Sequence, residues 1–284
     1  MGIKIITDST ADISQEEAKK WNIVVVPLKS VFGEKAYLDG IDLSPEEFYA
    51  KLAQSKELPT TSQPSPFDFE QVFRQIQEEG DQIIVICLAG NLSGTWQSAN
   101  IAQENCGGDI WVIDCGTTTL GLQILVRLAI SLRESGKTAE EIVQIIEEEK
   151  KSVTLFAVVD TLKYLYKGGR LSGTSALAGT LLKVKPLLSL QQGELKVVSK
   201  CRGLKKAYAD VFQFVKAAGG IDYSKPFAIG YSSDRNRFIQ FEQECRQHFD
   251  GHEPIVGHVG SVVGTHVGPG AVTVTFFKHK GTQP

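Results

Sequence analysis

Four short segments of this chain set hydroxyl, imidazole or guanidinium groups beside glycine or proline. In Asn91-Leu92-Ser93-Gly94-Thr95, a serine and a threonine follow the apolar run 83–88 and open a helical stretch over 93–105. A helix start offers unpaired backbone N–H groups and the positive end of a dipole, which together attract an anion. At the carboxyl end of a parallel strand, that is also where open α/β folds hold their ligands. The competing reading is a plain serine N-cap. In Pro59-Thr60-Thr61-Ser62-Gln63-Pro64, consecutive hydroxyls held between prolines read as a rigid loop rich in donors, or more simply as the approach to a helix capped by Ser65. In Gly264-Thr265-His266-Val267-Gly268-Pro269-Gly270-Ala271, glycines admit close backbone approach and proline fixes the path, which leaves His266 on a loop with little packing to do. Lys167-Gly168-Gly169-Arg170, with Arg202 further along, places guanidinium groups suited to a carboxylate or phosphate, although solvated surface arginines are the plainer reading.

Other chemistries lack their residues. His248 and His252 lie four apart, but Asp250 and Gly251 break the stretch between them and no acid–histidine grouping completes a metal site. Gly90-Asn91-Leu92-Ser93-Gly94 misses the G-x-S-x-G nucleophile elbow by one residue, because its serine stands three residues after Gly90 instead of two. No G-x-x-x-x-G-K-[ST] phosphate loop occurs, and the glycine segment near the end is no G-x-G-x-x-G fingerprint. The 284 residues carry 30 lysines and arginines against 33 aspartates and glutamates, so the broad basic footprint of a nucleic-acid binder is missing. Apolar residues make up 42% and charged residues 22%, ordinary globular usage. No apolar run approaches the length of a membrane helix, and an aspartate at position 8 comes too early for a signal peptide. Cys87, Cys106, Cys115, Cys201 and Cys245 are scattered and odd in number, which reads as reduced thiols in the cytoplasm.

The elements that must position these groups alternate through the first half. Runs 3–6, 23–28, 83–88, 110–114 and 153–159 are apolar and β-branched, and helices start after them. Ser14-Gln15-Glu16-Glu17 is a capping box, and Ser44-Pro45-Glu46-Glu47, Ser65-Pro66-Phe67-Asp68 and Thr138-Ala139-Glu140-Glu141 repeat the same start signal. Continuous apolar strands separated by helices predict an α/β layered domain with a mainly parallel sheet over residues 1–158. The second half changes character. Gly168, Gly169 and Gly173 break the chain, Lys185-Pro186 interrupts a would-be strand, and 195–199 alternates weakly. Helices over 202–218 and 234–249, a strand over 227–231 and a closing strand–loop–strand over 255–277 predict an α+β domain at 159–284 with a mixed or antiparallel sheet.

Six segments in this order carry a family resemblance: Thr7-Asp8-Ser9-Thr10-Ala11-Asp12, Thr61-Ser62-Gln63-Pro64, Leu92-Ser93-Gly94-Thr95, Gly168-Gly169-Arg170, Val184-Lys185-Pro186-Leu187-Leu188, and the glycine segment 264–271. Over essentially its whole length the chain resembles the DegV family of bacterial fatty-acid-binding proteins. That resemblance implies a two-domain protein enclosing one long-chain fatty acid, with no other cofactor. It implies that Thr61 and Ser93 hold the carboxylate, that His266 lies beside the head group, and that Arg170 and Arg202 flank the pocket mouth. Ser62, Gly94, Thr95, Gly268 and Gly270 would then sit in the supporting loops. It further implies a separate ATP-binding subunit of a fatty acid kinase that makes acyl phosphate for phospholipid metabolism, transient membrane contact when lipid is exchanged, and no nucleic-acid partner. Trp96 departs from the smaller aromatic the family pattern implies.

The resemblance is chemically coherent. An ionised carboxylate is already a nucleophile towards a γ-phosphoryl group, so the binding subunit needs no general base of its own. The alternative from another class is a serine hydrolase using Ser93 and His266 on acyl esters, and a lipid carrier without any kinase differs from the first reading only in its partner.

Overall fold

The computed structural model describes residues 2–171 and 184–279, and the expected break at Gly173 lies outside the described residues. In chain order the first half runs β1 (Ile3–Asp8), α1 (Gln15–Lys20), β2 (Ile23–Val26), β3 (Lys29–Phe32), β4 (Lys35–Leu38), α2 (Pro45–Gln54), β5 (Thr60–Ser62), α3 (Pro66–Glu78), β6 (Gln82–Cys87), α4 (Thr95–Cys106), β7 (Ile110–Asp114), α5 (Leu120–Glu134) and α6 (Ala139–Glu149). The second half runs β8 (Val153–Val158), α7 (Lys163–Lys167), β9 (Lys185–Gln191), β10 (Glu194–Cys201), α8 (Leu204–Ala217), β11 (Ala228–Tyr231), α9 (Arg235–Arg246), β12 (Ile255–His258), α10 (Ser261–Val267) and β13 (Val272–Phe277). Ser14, Ser44, Ser65 and Thr138 each close a reciprocal capping box on the acid three residues later, as their spacing predicts.

Three sheets form among the described residues. The parallel sheet β2-β1-β6-β7 belongs to the first half, and a mixed six-stranded sheet β10-β9-β8-β13-β11-β12 to the second, with only β11 and β12 parallel in it. This is the layered α/β arrangement followed by an α+β unit that the sequence predicts. Strand β8 was grouped by its sequence pattern with the first domain, inside 1–158. Its hydrogen bonds instead run to β9 and β13, so the second sheet begins at Val153. Pro186 does not interrupt a strand but lies within β9, at its second residue, where a missing N–H is tolerated at a sheet margin.

Two further segments depart from expectation. Thr60–Ser62 is not a loop but an edge strand, the outer member of a small antiparallel sheet β4-β3-β5. The glycine segment is not a loop throughout, since Ser261–Val267 is a short helix with His266 in its last turn. The residues of α10 are poor helix formers, and tertiary contacts override that propensity. One of those contacts is close packing of Gly264 against Phe48 and Tyr49 of α2, where a Cβ would collide with both rings.

Apolar side chains pack on both faces of the parallel sheet. Phe69, Phe73 and Ile76 of α3 join Ala99 and Ala102 of α4 on one face, and α5 and α6 cover the other. The second sheet packs Phe156, Phe276 and Val274 against α8 and α9. The two halves meet through a knob and hole. Gly230 and Gly257 are register partners on β11 and β12, and a Cβ on either would strike the methyl groups of Leu120 at the start of α5. Two facing glycines thus make the recess that receives a first-half leucine.

Candidate functional site

Between the parallel sheet, the second sheet and α10 lies a cavity of about 150 Å³ that opens to solvent. Its wall is mostly aliphatic. Leu155 and Ala157 of β8, Leu188 and Leu190 of β9 and Leu195 of β10 form one side, and Val262, Val263 and Val267 of α10 face Leu28, Leu88 and Leu92. The alternation of β8 and β9 explains this: as members of a sheet, they give one face to α8 and the other to the cavity. A space walled mainly by aliphatic side chains suits a mainly hydrocarbon ligand.

The polar groups gather where four segments converge. Thr61 Oγ1 hydrogen-bonds His266 Nε2 at 2.9 Å, joining residues 205 positions apart. Gln63 packs against Gly94, where a Cβ would overlap its amide, and its Nε2 donates to Ser98 Oγ at 3.0 Å. Arg170 Nε donates to the Leu92 carbonyl at 3.1 Å and Nη1 to the Gly168 carbonyl at 2.7 Å, tying the arginine to the segment that carries Ser93. Gly168 in turn lies against His266 Nδ1, which no side chain with a Cβ would permit. Thr61, Ser93, Arg170 and His266 therefore line one cavity, and Gln63 joins them. Gln63 was not singled out from the sequence, although it stands inside the Thr61-Ser62-Gln63-Pro64 motif.

Ser93 is not the helix cap. Gly94 is the N-cap of α4 and brings no side-chain hydrogen bond, so Ser93 stands one residue outside. Its Oγ lies 2.9 Å from Thr95 Oγ1 and accepts a long 3.3 Å bond from Thr95 N. The helix start is thus left open towards the cavity end, with a hydroxyl beside it.

Burial pushes the His266 imidazole down to about 4, and the nearby Arg170 guanidinium adds to the shift. The ring is neutral at ordinary pH, and Nδ1 has no hydrogen-bond partner among the described residues. A neutral ring that donates from Nε2 to Thr61 Oγ1 frees the threonine proton for an acceptor in the cavity. The hydrolase arrangement does not assemble. His266 bonds Thr61 rather than Ser93, and no carboxylate orients its other nitrogen.

The remaining expected residues fall elsewhere. Arg202 is exposed where β10 gives way to α8 and does not line the cavity. Ser62 points away from Thr61, as strand alternation demands, and is exposed. Thr95 is buried beneath Ser93. Gly268 ends α10 at φ +73° beneath the Tyr164 ring, and Gly270, at φ +77°, admits Arg237 and Asp160. Both glycines shape the backbone next to His266 and line no part of the cavity. Trp96 packs half-buried with α3 and α4.

Among the described residues, no group of histidine, cysteine, aspartate and glutamate side chains could hold a metal ion, and no helix is long and apolar enough to cross a membrane. Of the other cavity threonines, the buried Thr118 hydroxyl has no hydrogen-bond partner among the described residues, and the rest are engaged. Thr10 donates to Asp8 and Thr119 to Asp12, both buried carboxylates, and Thr273 donates to the Phe156 carbonyl. Burial raises Asp8 to about 6 and moves Asp12 in the same direction.

Comparison with known proteins places these features in context. The family model described as an uncharacterised protein of the DegV family matches residues 2–279. A DegV domain-containing protein of Caldanaerobacter subterraneus subsp. tengcongensis is 39% identical over 280 residues, which are 98% of this chain and 99% of its own. A solved structure described as fatty acid binding of a DegV family protein from Thermus thermophilus has 32% identity, covers 98% of this chain and 100% of its own, and has a TM-score of 0.89. A fatty acid (stearic acid)-binding protein from Eubacterium ventriosum has 27% identity, 97% coverage of each chain and a TM-score of 0.88.

Proposed function

The chain belongs to the DegV family, and we propose that it binds one long-chain fatty acid in the cavity and presents the carboxylate to a separate ATP-using kinase subunit. The observation that carries this reading is a mainly aliphatic cavity in whose lining Thr61, Ser93, Arg170 and His266 come together from four distant segments. Such polarity fits an amphiphile with one ionic terminus.

The magnitudes agree. Burying some fourteen methylenes at about 0.8 kcal/mol each gives on the order of 11 kcal/mol before the costs of association. The tail supplies the affinity and the head group sets orientation. A fatty-acid carboxylate is ionised at neutral pH, and burying it needs compensating donors. The Thr61 and Ser93 hydroxyls, the open start of α4 and the Arg170 guanidinium supply them. His266 contributes no charge but turns the Thr61 hydroxyl towards the ligand.

The bound carboxylate needs no base to attack a γ-phosphoryl group, so positioning is the whole task of this chain. Its oxygen attacks phosphorus, the bond to the β,γ-bridging oxygen breaks, and the nucleoside diphosphate leaves from the partner. Arg170 and the exposed Arg202 belong to the surface that meets this partner, where their charge offsets that of the phosphoryl group. Loading and release of so apolar a ligand through the cavity mouth would take place by transient contact with a membrane, in the cytoplasm.

Denaturing the purified protein and extracting it into organic solvent should release one equivalent of fatty acid, read by mass spectrometry. A protein that emerges empty and then refuses added palmitate and oleate overturns the reading. T61V and S93A should each weaken palmitate about tenfold, the loss of one hydrogen bond to a charged group. Affinity capture of an ATP-binding subunit, lost in R202A, tests the partner.

A further inference from the structure

The clamp residue His266 depends on a helix that cannot hold its own start. Gly260, the N-cap of α10, has no side chain to offer, and α10 is only seven residues long. The missing cap comes from far away in the sequence. Asp39, just after β4, accepts from Ser261 N at 2.9 Å and from Ser261 Oγ at 2.6 Å. Ser261 Oγ also lies 2.7 Å from Ser30 Oγ on β3. Since Ser261 spends its proton on the carboxylate, Ser30 must donate to Ser261, which gives the directed series Ser30 to Ser261 to Asp39. All three side chains are within 3% of complete burial. Gly260 N donates to Asp12 Oδ1 at 2.9 Å, and a Cβ at Gly260 would crowd both Asp12 and Asp39. Its φ of −72° is open to any residue, so glycine is needed here for room.

The geometry of the small sheet turns this cap into an alignment device. Ser30 and Thr61 are register partners on β3 and β5. Directly opposed residues share a face and stand about 5 Å apart. On α10, Ser261 and His266 are five residues apart, about 7.5 Å along the axis. The helix therefore rests on the sheet at two points, Ser261 on Ser30 and His266 on Thr61. With one point fixed by Asp39, rotation or sliding of the helix would break the other.

We propose that Asp39 is a positioning residue for the carboxylate clamp: by capping α10 on Ser261 and Ser30, it holds His266 against Thr61 so that the Thr61 hydroxyl faces the ligand head group. The inference rests on the fatty-acid reading above. Asp39 itself does not line the cavity, so it touches no ligand. Loss of the cap should then spoil recognition of the charged head and spare burial of the tail.

The test compares dissociation constants of the full-length protein for palmitate and for cetyl alcohol, which share a tail and differ in the head. D39A should lower the preference for the acid about tenfold, the equivalent of one charge-assisted contact, with the alcohol constant little changed. D39N keeps an oxygen for Ser261 and should restore most of the preference. The Nε2 resonance of His266 should move in D39A and return in D39N. If D39A fails to fold, S30A removes one support and leaves the cap in place, and should lower the preference about threefold, part of one such contact. Unchanged preference in folded D39A, or in S30A, overturns the proposal, as does a loss of both ligands in equal proportion. A wild-type protein that binds neither ligand removes the fatty-acid reading and this inference with it, whereas a wild type that prefers palmitate beside an equally selective D39A removes the inference alone.

Discussion

Lowering the pH from about 7.5 to about 5.5 should destabilise the folded chain through His266 while the ring itself stays uncharged. Burial, with Arg170 nearby, takes the imidazole from its usual 6.5 down to about 4. In the unfolded chain the ring takes its proton near 6.5, so between that value and about 4 only the unfolded state gains one. The stability this group contributes is complete above about 6.5 and is lost as the pH falls towards about 4. Across the whole window the loss is about 3 kcal/mol, and about 1 kcal/mol of it falls between pH ~7.5 and ~5.5. Asp8 works in the opposite sense. Its carboxyl is raised from 3.8 to about 6, so the folded state holds more protons in that range and stability falls as the pH rises through it. Asp12 and Asp39 are raised by burial and act with the same sign as Asp8. The wild-type curve alone therefore mixes opposed contributions. Urea unfolding of wild type and H266Q at both pH values isolates the imidazole, because the carboxylates are common to the two proteins. Wild type should lose about 1 kcal/mol more than H266Q on acidification, and the His266 ring resonances should stay those of a neutral imidazole at pH ~5.5. A ring that titrates near 6.5 in the folded protein, or equal losses in the two proteins, refutes the reasoning. Loading with fatty acid places an anion beside the ring, should raise its pKa, and should shrink the difference.

Gly257→Ala puts a Cβ onto the Leu120 methyls and should cost about 1–3 kcal/mol in urea unfolding, with part of the loss recovered in the double variant with L120A. Additive effects would mean the recess is not what seats Leu120. Ala157→Phe narrows the aliphatic wall; if it displaces about two methylenes, stearate should weaken roughly fifteenfold while laurate is spared, as read by competition binding. Equal losses for both chains would remove β8 from the acyl path. Ser65→Ala deletes the α3 cap and should cost about 1 kcal/mol of stability with palmitate affinity unchanged, in contrast to T61V. A drop in affinity would place Ser65 in the site.

What was legible in the sequence was local. Ser14, Ser44, Ser65 and Thr138 announce their helices because a cap and its partner acid lie three residues apart, and the strands of the parallel sheet announce themselves because burial on both faces leaves them uniformly apolar. The change of sheet at Val153 has no sequence signal for the same reason, since β8 is as apolar as β6 and nothing in its composition says which sheet it will join. Strands β3 and β4 give no clear sequence signal because they are part-exposed and carry Lys29 and Lys35, with Gly33 in the turn between them. The pairing of β3 with Thr60–Ser62 is decided across some thirty intervening residues.

The candidate site divides along the same line. Thr61, Ser93, Arg170 and His266 could be named from residue type and motif, but their roles follow from supports with no local signature. Thr61 faces the cavity because β5 is a strand, and two prolines around a row of hydroxyls read as a turn instead. His266 faces Thr61 because α10 is a helix, although Val262, Val263, Gly264, Thr265 and Val267 are all residues that disfavour one. What outweighs that propensity is a cap borrowed from Asp39 and packing borrowed from Phe48 and Tyr49. A segment that is helical only when docked places its histidine correctly only when docked. On the proposed reading, selectivity for the head group therefore depends on the seating of α10 on the small sheet, and a substitution that loosens the second should register first as a loss of the first.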